Sequence, residues 1–140
     1  MDKYFKRYVI LLIVFISFLP IYTQNVAKIE IRDFKLLPNP FSPLLPNPND
    51  PQARQGQVIQ FRLISSADDS PFISVKIYNM DGELVRTLKE NEPSVREVQL
   101  IWDGKTNDGR YARNGRYIVH LKVKDFWGEK EEIKSSVLIK

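Results

Sequence analysis

Apolar and polar positions alternate along most of this chain. Between residues 75 and 123 the sequence reads V-K-I-Y-N-M-D-G-E-L-V-R-T-L, then I-W-D-G-K-T-N-D-G-R, then N-G-R-Y-I-V-H-L-K-V. These apolar runs of period two are joined by turns rich in Asp, Asn and Gly. That pattern predicts consecutive antiparallel strands with one buried face. Extended along the chain, it predicts seven strands, over residues 26–34, 58–63, 72–78, 84–88, 95–102, 116–123 and 133–139. The inward positions are Ile29 and Ile31 in the first strand, Ile59, Phe61 and Leu63 in the second, and Val75 and Ile77 in the third. They continue with Val98, Leu100 and Trp102 in the fifth and Tyr117, Val119, Leu121 and Val123 in the sixth. In the seventh strand Ile133, Val137 and Ile139 are expected to face inward, with Ser135 between them. Asn79-Met80-Asp81-Gly82 reads as a tight hairpin turn, where Gly82 takes a positive φ that a Cβ would hinder. Beyond the first two dozen residues no long run carries a helical apolar period. The expectation is therefore an all-β, seven-stranded antiparallel sandwich.

The connections are more varied. Residues 37–51 contain Pro38, Pro40, Pro43, Pro46, Pro48 and Pro51. Proline has no amide donor and a fixed φ, so this segment cannot join a central ladder. It is expected to cross the domain as an extended loop tied down by Phe41, Leu44 and Leu45, with a disordered linker as the alternative. Residues 65–71 read as a polar turn, 89–94 as a charged loop, 103–115 as a long polar connection and 125–129 as a turn.

The first 24 residues have a different character. Lys3, Lys6 and Arg7 precede an apolar run over 8–19, interrupted only by Ser17 and closed by Pro20. This is the layout of a helical secretory signal peptide over 1–24. The run falls short of the roughly 20 residues of a comfortable membrane span. Cleavage is expected near Thr23 or Gln24, although Ile21-Tyr22-Thr23-Gln24 lacks the small residue wanted three before the cut. An uncleaved N-terminal anchor is the alternative, and only that segment would then touch a membrane. Residues 25–140 remain as one domain with one core. The chain has no cysteine, which excludes disulfide staples, a cysteine-linked lipid anchor and thiolate-bound metals. Its net charge is +4, and half of that excess belongs to the leader. The basic pI is therefore no nucleic-acid signature, and the scattered Lys and Arg lack the aromatic order of a nucleic-acid platform.

Four groups of residues stand in a telling order. They are Pro38-Asn39-Pro40-Phe41-Ser42-Pro43, then Ile77-Tyr78-Asn79-Met80-Asp81-Gly82-Glu83-Leu84-Val85-Arg86, then Trp102-Asp103-Gly104-Lys105-Thr106-Asn107-Asp108-Gly109, then Asn114-Gly115-Arg116-Tyr117. Together they resemble the Ig-like domain of flagellar hook-capping proteins, over roughly residues 34–140. With the apolar end Val137-Leu138-Ile139-Lys140, they are also similar to the C-terminal sorting domains of type IX secretion cargo. The resemblance implies an Ig-like sandwich that serves as an export signal, surface attachment point or assembly scaffold. It also implies a secreted, periplasmic or cell-surface location in a Gram-negative-type bacterium. The partner implied is a protein, either secretion machinery or an envelope or appendage subunit. The pattern departs from both groups at its N-terminal side. Hook-capping proteins carry a separate export region instead of a cleaved leader. Sorting modules follow a large domain, whereas only residues 24–35 precede the Pro-rich segment here. The expectation is a module that is itself the product, or whose client is a separate chain.

Little in the sequence suggests chemistry, and no catalytic residue, cofactor site or metal site is expected. Asp103, Asn107 and Asp108 superficially suggest a calcium loop, but the twelfth position from Asp103 is Asn114 where an EF-hand needs a bidentate Glu. Turn-capping is the simpler reading. His120 alternates with Val119 and Leu121, so it should face solvent, and no second His or Cys could join it. Asp68, Asp69, Glu129, Glu131 and Glu132 read as solvated charges, and no G-x-S-x-G elbow or phosphate loop occurs. Contact with a partner is expected instead, by strand addition at an open edge or by docking of the last strand. The candidates are Lys134, Val137, Ile139 and Lys140 on the terminal strand, Tyr111 in the 103–115 connection, and Trp127. A carbohydrate-binding module, with a polysaccharide partner, is the alternative. It would require Tyr78, Tyr111 and Trp127 to line one face or one end.

Overall fold

The alternating segments fold into strands β1 (Glu30–Leu37), β2 (Gln57–Ile64), β3 (Phe72–Asn79), β4 (Leu84–Pro93), β5 (Glu97–Trp102), β6 (Gly115–Lys124) and β7 (Glu129–Leu138). The computed structural model describes residues 29–52, 54–65 and 70–140. The leader with its cleavage site, the start of the first predicted strand at 26–28, and Asp68 and Asp69 lie outside the described residues. Two sheets face each other, one of order β1-β2-β5 and one of order β4-β3-β6-β7. Every pairing is antiparallel.

The central strands follow the period-two expectation. Ile59, Phe61 and Leu63 from β2, Ile73, Val75 and Ile77 from β3, and Tyr117, Val119, Leu121 and Val123 from β6 form one buried cluster. From β5, Val98 and Trp102 are buried and Leu100 packs partly buried against them. Trp102 is the largest of the fully buried side chains. Its ring lies 5.2 Å from Phe41 and 5.1 Å from Tyr117, centroid to centroid, and its Nε1–H donates to the Lys105 carbonyl at 3.0 Å. The Tyr117 hydroxyl donates to the Arg113 carbonyl at 2.6 Å. That bond ties the long 103–115 connection to the start of β6, the arrangement of a tyrosine corner.

The outer strands depart from simple alternation. In β1 the inward parity switches from Ile29 and Ile31 to Phe34 and Leu36. The cause is a bulge between Arg32 and Lys35, where Asp33 takes φ 52° and pairs with Arg62. One extra residue in a strand moves the rest of it to the other face. β4 runs on to Pro93, so most of the predicted charged loop at 89–94 is strand. An edge strand with one ladder partner can carry charge on both faces. Val95 falls outside β5 and is exposed.

In β7 the expected inward face is the wrong one. Ile133 is 66% exposed and Ile139 50%, whereas Ser136 and Leu138 are buried. The ladder explains this, because Ser136 stands opposite Tyr117 and Leu138 opposite Gly115. Tyr117 belongs to the core, and directly paired residues share a face. A buried polar contact fixes the register across the sandwich. The Ser136 hydroxyl donates to Gln57 Oε1 at 2.8 Å, and Gln57 Nε2 donates to the Pro38 carbonyl at 2.8 Å.

Two substitutions separate the observed β7 face from the expected one. Leu138→Ala should cost about 2–5 kcal/mol of stability, and Ile133→Ala less than about 0.5 kcal/mol. Urea unfolding midpoints of the two variants measure this. An equal loss from both would refute the register.

Candidate functional site

A sheet edge exposes alternate amides and carbonyls that need partners. In the four-stranded sheet the edges belong to β4 and β7, and a loop reaches each of them. The loop at β7 is the Pro-rich segment. It is shaped by Asn47, whose Nδ2 donates to the Leu37 carbonyl at 2.8 Å and to the Gly56 carbonyl at 2.9 Å. Asp50 accepts from the Arg54 amide at 2.8 Å and from its guanidinium at 2.8 Å and 3.0 Å. Held this way, the segment presents Asn39 and Phe41 to β7. Asn39 Nδ2 donates to the Ser135 carbonyl at 2.8 Å, and Asn39 Oδ1 accepts from the Val137 amide at 2.9 Å. The Phe41 amide donates to the Val137 carbonyl at 2.9 Å, and its carbonyl accepts from the Ile139 amide at 3.0 Å. Phe41 is the one expected anchor that is buried. Leu44 and Leu45 are 50% and 63% exposed, because asparagine and aspartate hydrogen bonds hold this loop where apolar burial was expected.

At the β4 edge, Asn107 of the 103–115 connection plays the corresponding part. Its Oδ1 accepts from the Thr87 amide at 2.9 Å, and its own amide donates to the Val85 carbonyl at 2.9 Å. The other oxygens of this loop are also engaged. Asp103 Oδ1 accepts from the Lys105 amide at 3.0 Å. Asp108 accepts from the Thr106 hydroxyl and pairs with Arg110, which hold its carboxyl down to about 2. The loop is a turn whose carboxylates face its own backbone and side chains, while the Asn107 side chain reaches out to β4. Among the described residues no group of three or more His, Cys, Asp or Glu is placed to hold a metal ion. His120 lies on the outer sheet face, its Nε2 3.2 Å from Glu131 Oε2.

The six expected contact residues do not form one surface. Val137 and Ile139 lie on the edge that the Pro-rich segment covers. Lys140 continues from it, its amide donating to Asn114 Oδ1 at 3.0 Å and its Nζ lying 5.8 Å from the centre of the Tyr111 ring. Lys105 approaches the same ring at 5.2 Å. Tyr111, Val137, Ile139 and Lys140 thus gather at one end of the sandwich. Lys134 sits farther along β7 on the inner side, with its Nζ 5.6 Å from the centre of the Phe34 ring. Trp127 is at the opposite end, in the β6–β7 turn. There it stacks edge-on with Phe126 at 5.1 Å, and both are exposed. Asp125 builds that turn by accepting from the Trp127 and Gly128 amides at 2.8 Å and 3.0 Å.

Tyr78 lies near the Tyr111 end, on the outer face of the four-stranded sheet and away from Trp127. It pairs in β3 with Ile118 of β6 and lies 6.2 Å from His120. Tyr78, Tyr111 and Trp127 therefore do not line one face, and nothing in their placement favours a polysaccharide partner. The contacts that the sequence did not point to are those of Asn39 and Asn107. An asparagine flanked by two prolines, as Asn39 is, was the available signal. Among the described residues no helix is long and apolar enough to cross a membrane.

A family model described as the FlgD Ig-like domain matches residues 49–125, over half of the chain. Among solved structures the chain is similar to dimeric latent PorU from Porphyromonas gingivalis. That match is 21% identical, covers 82% of this chain and 10% of that one, and has a TM-score of 0.54. A second match is PorZ from Porphyromonas gingivalis, described as an essential bacterial surface component of the type IX secretion system. It is 22% identical, covers 77% of this chain and 12% of that one, and has a TM-score of 0.45. The chain thus spans about a tenth of the length of the solved chains it matches. The likeness to PorU shows a shared fold. No curated protein matches the chain.

The Asp50–Arg54 pair gives the Pro-rich loop a pH dependence. The Arg54 side chain and amide hold the Asp50 carboxyl down to about 2 from its usual 3.8, against the opposing effect of burial. The folded value lies below the unfolded one. The stabilisation is therefore complete above about pH 4 and is lost as pH falls through about 2. Asp50→Asn should lack this dependence, so its stability deficit relative to the parent chain should shrink between pH 5 and pH 2. Urea unfolding of both chains across that range checks it, and a deficit independent of pH would contradict it.

Proposed function

This chain belongs to the FlgD Ig-like domain family and is a non-enzymatic structural and interaction module, and from that premise we propose that it is exported and held at the bacterial surface by contacts of its C-terminal strand. The observation that carries the proposal is the state of the outer β7 edge. Among the described residues, the edge formed by residues 135–139 is met by Asn39 and Phe41, and an extended segment of a second chain can add to a strand edge by main-chain hydrogen bonds. The partner is a protein of the secretion machinery or of an envelope or appendage assembly. The leader-like residues 1–24 support export, and the module at 25–140 supplies the attachment. The cell surface of a Gram-negative-type bacterium is the location that fits both parts.

Chemistry of the polar groups supports the same reading. In the 103–115 connection Asp103 and Asp108 are engaged within the turn and the Asn107 side chain with β4. The groups left for recognition are exposed apolar side chains and strand edges. These suit a protein surface, where aromatic anchors and main-chain pairing supply most of the binding energy.

A reporter inserted between residues 24 and 25 of the full chain tests the proposal in a host that carries a type IX secretion apparatus. The reporter should become accessible to protease added outside the cells. Deleting residues 139–140, which spares the buried Leu138, should leave it exported but inaccessible. Equal accessibility with and without those residues would remove the C-terminal strand from the proposal.

A further inference from the structure

β1 and β2 are paired neighbours, and a hairpin of about 2–5 residues would join them. Instead residues 38–56 leave β1, cross to the edge of the opposite sheet and return. Ordered loops of this length are usually functional, and this one ends in a specific contact.

Seen from β7, the contact is that of a neighbouring strand. The Val137 and Ile139 amides and the Ser135 and Val137 carbonyls all find partners, two on the Asn39 side chain and two on the Phe41 backbone. Among the described residues Phe41 alone forms a β-bridge there, parallel to Leu138. Asn39 supplies its carboxamide in place of a peptide group. Pro38 and Pro40 carry no amide, so the segment cannot lengthen into a full strand. Its hold on β7 is one buried ring, Phe41 against Trp102, together with this exposed set of hydrogen bonds, while Gln57 holds the Pro38 carbonyl and Pro43 is buried on either side. One aromatic anchor and a short run of main-chain pairing make up the chemistry of a peptide ligand on a sheet edge.

We propose that the outer edge of β7 is a receptor for an extended Pro-Asn-Pro-Phe segment, filled within the chain by residues 38–41 and open to the same segment of a second copy when the resident one lifts away. This rests on the reading of β7 as the partner surface and names what the edge recognises. The asparagine is the selective element. Its side chain offers one donor and one acceptor with the spacing of a peptide group, whereas an aspartate offers no donor and an alanine offers neither. The chain's own segment acts as a competitor for the site. Occupation from outside is therefore governed by how often the resident segment releases, and weakening that segment raises apparent affinity for an external one.

A fluorescent peptide with the sequence of residues 36–45 is the probe, and the receptor is the full chain, read by fluorescence anisotropy. Asn39→Ala should bind the peptide at least about tenfold more tightly than the parent chain. The same peptide with alanine in place of its asparagine should not bind measurably. If the Asn39→Ala chain does not fold, Asn39→Asp, which loses only the donor, carries the same comparison. A folded variant that binds the peptide no better than the parent chain, or binds the alanine peptide equally well, overturns the proposal. Surface display of the reporter would survive that result if β7 serves a different segment, so the two readings fail separately.

Discussion

Every sheet of finite width leaves a row of unmatched amides and carbonyls along its two outer strands. In this molecule the four-stranded sheet meets that constraint in the same way at both edges. Asn107 engages the Val85 carbonyl and the Thr87 amide of β4. Asn39 engages the Ser135 carbonyl and the Val137 amide of β7. In each case a donor and an acceptor two residues apart are satisfied without adding a strand. Each such bond is worth only about 0.5–1.5 kcal/mol net, so the larger consequence is for association. An edge satisfied in this way recruits a neighbour only when the resident group lifts away, and the two connections that supply the asparagines are shaped by polar contacts of their own. This is why residues that look like a site in the sequence are found engaged with the backbone.

The interior was legible wherever a strand has neighbours on both sides. β2, β3 and β6 are central, and their alternation of apolar and polar positions pointed to most of the buried side chains, Gln57, Val58 and Ile73 being the exceptions. The two strands that misled were β1 and β7, which sit at edges. In β1 the parity changes at Asp33, and no local pattern announces a one-residue bulge. In β7 the odd positions carry Ile133, Val137 and Ile139, the more apolar set, yet the even positions face the core. Beneath β7 the core is closed by Leu138 and by a hydrogen-bonded Ser136, and Gln57 completes that contact from the other sheet. A buried serine with a distant partner outweighed the count of branched side chains. That partner lies 79 residues away in sequence, beyond the reach of periodicity.

The candidate site shows the same division. Tyr111 stood out as a loop aromatic, Lys140 as the terminal residue, and Val137 and Ile139 as last-strand residues that were also expected to face inward; the fold brings all four to one end of the sandwich. Trp127 stood out as a loop aromatic too and lies at the other end. Asn39 was not singled out, because an asparagine among prolines reads as a turn residue. Its role depends on contacts 96 and 98 residues distant. The resemblance that included Pro38-Asn39-Pro40-Phe41 did point to the right segment, while the physical reason for those residues appears only when β7 is placed beside them.

The two ends of the sandwich therefore differ in what they offer. One presents a strand edge, the C-terminal residues and Tyr111. The other presents Phe126 and Trp127 beyond the last pairing of β6 with β7, and the described chain enters β1 at that end, since Glu30 pairs with Ile64 and Ser65 bonds to Asp125. The ten residues of β6 separate the two ends, about 30 Å at the rise of an extended strand. A partner that engages β7 at residues 135–139 leaves the Phe126–Trp127 turn uncovered. The strands between are packed into one core, so the two ends are separate surfaces joined through the same pair of sheets.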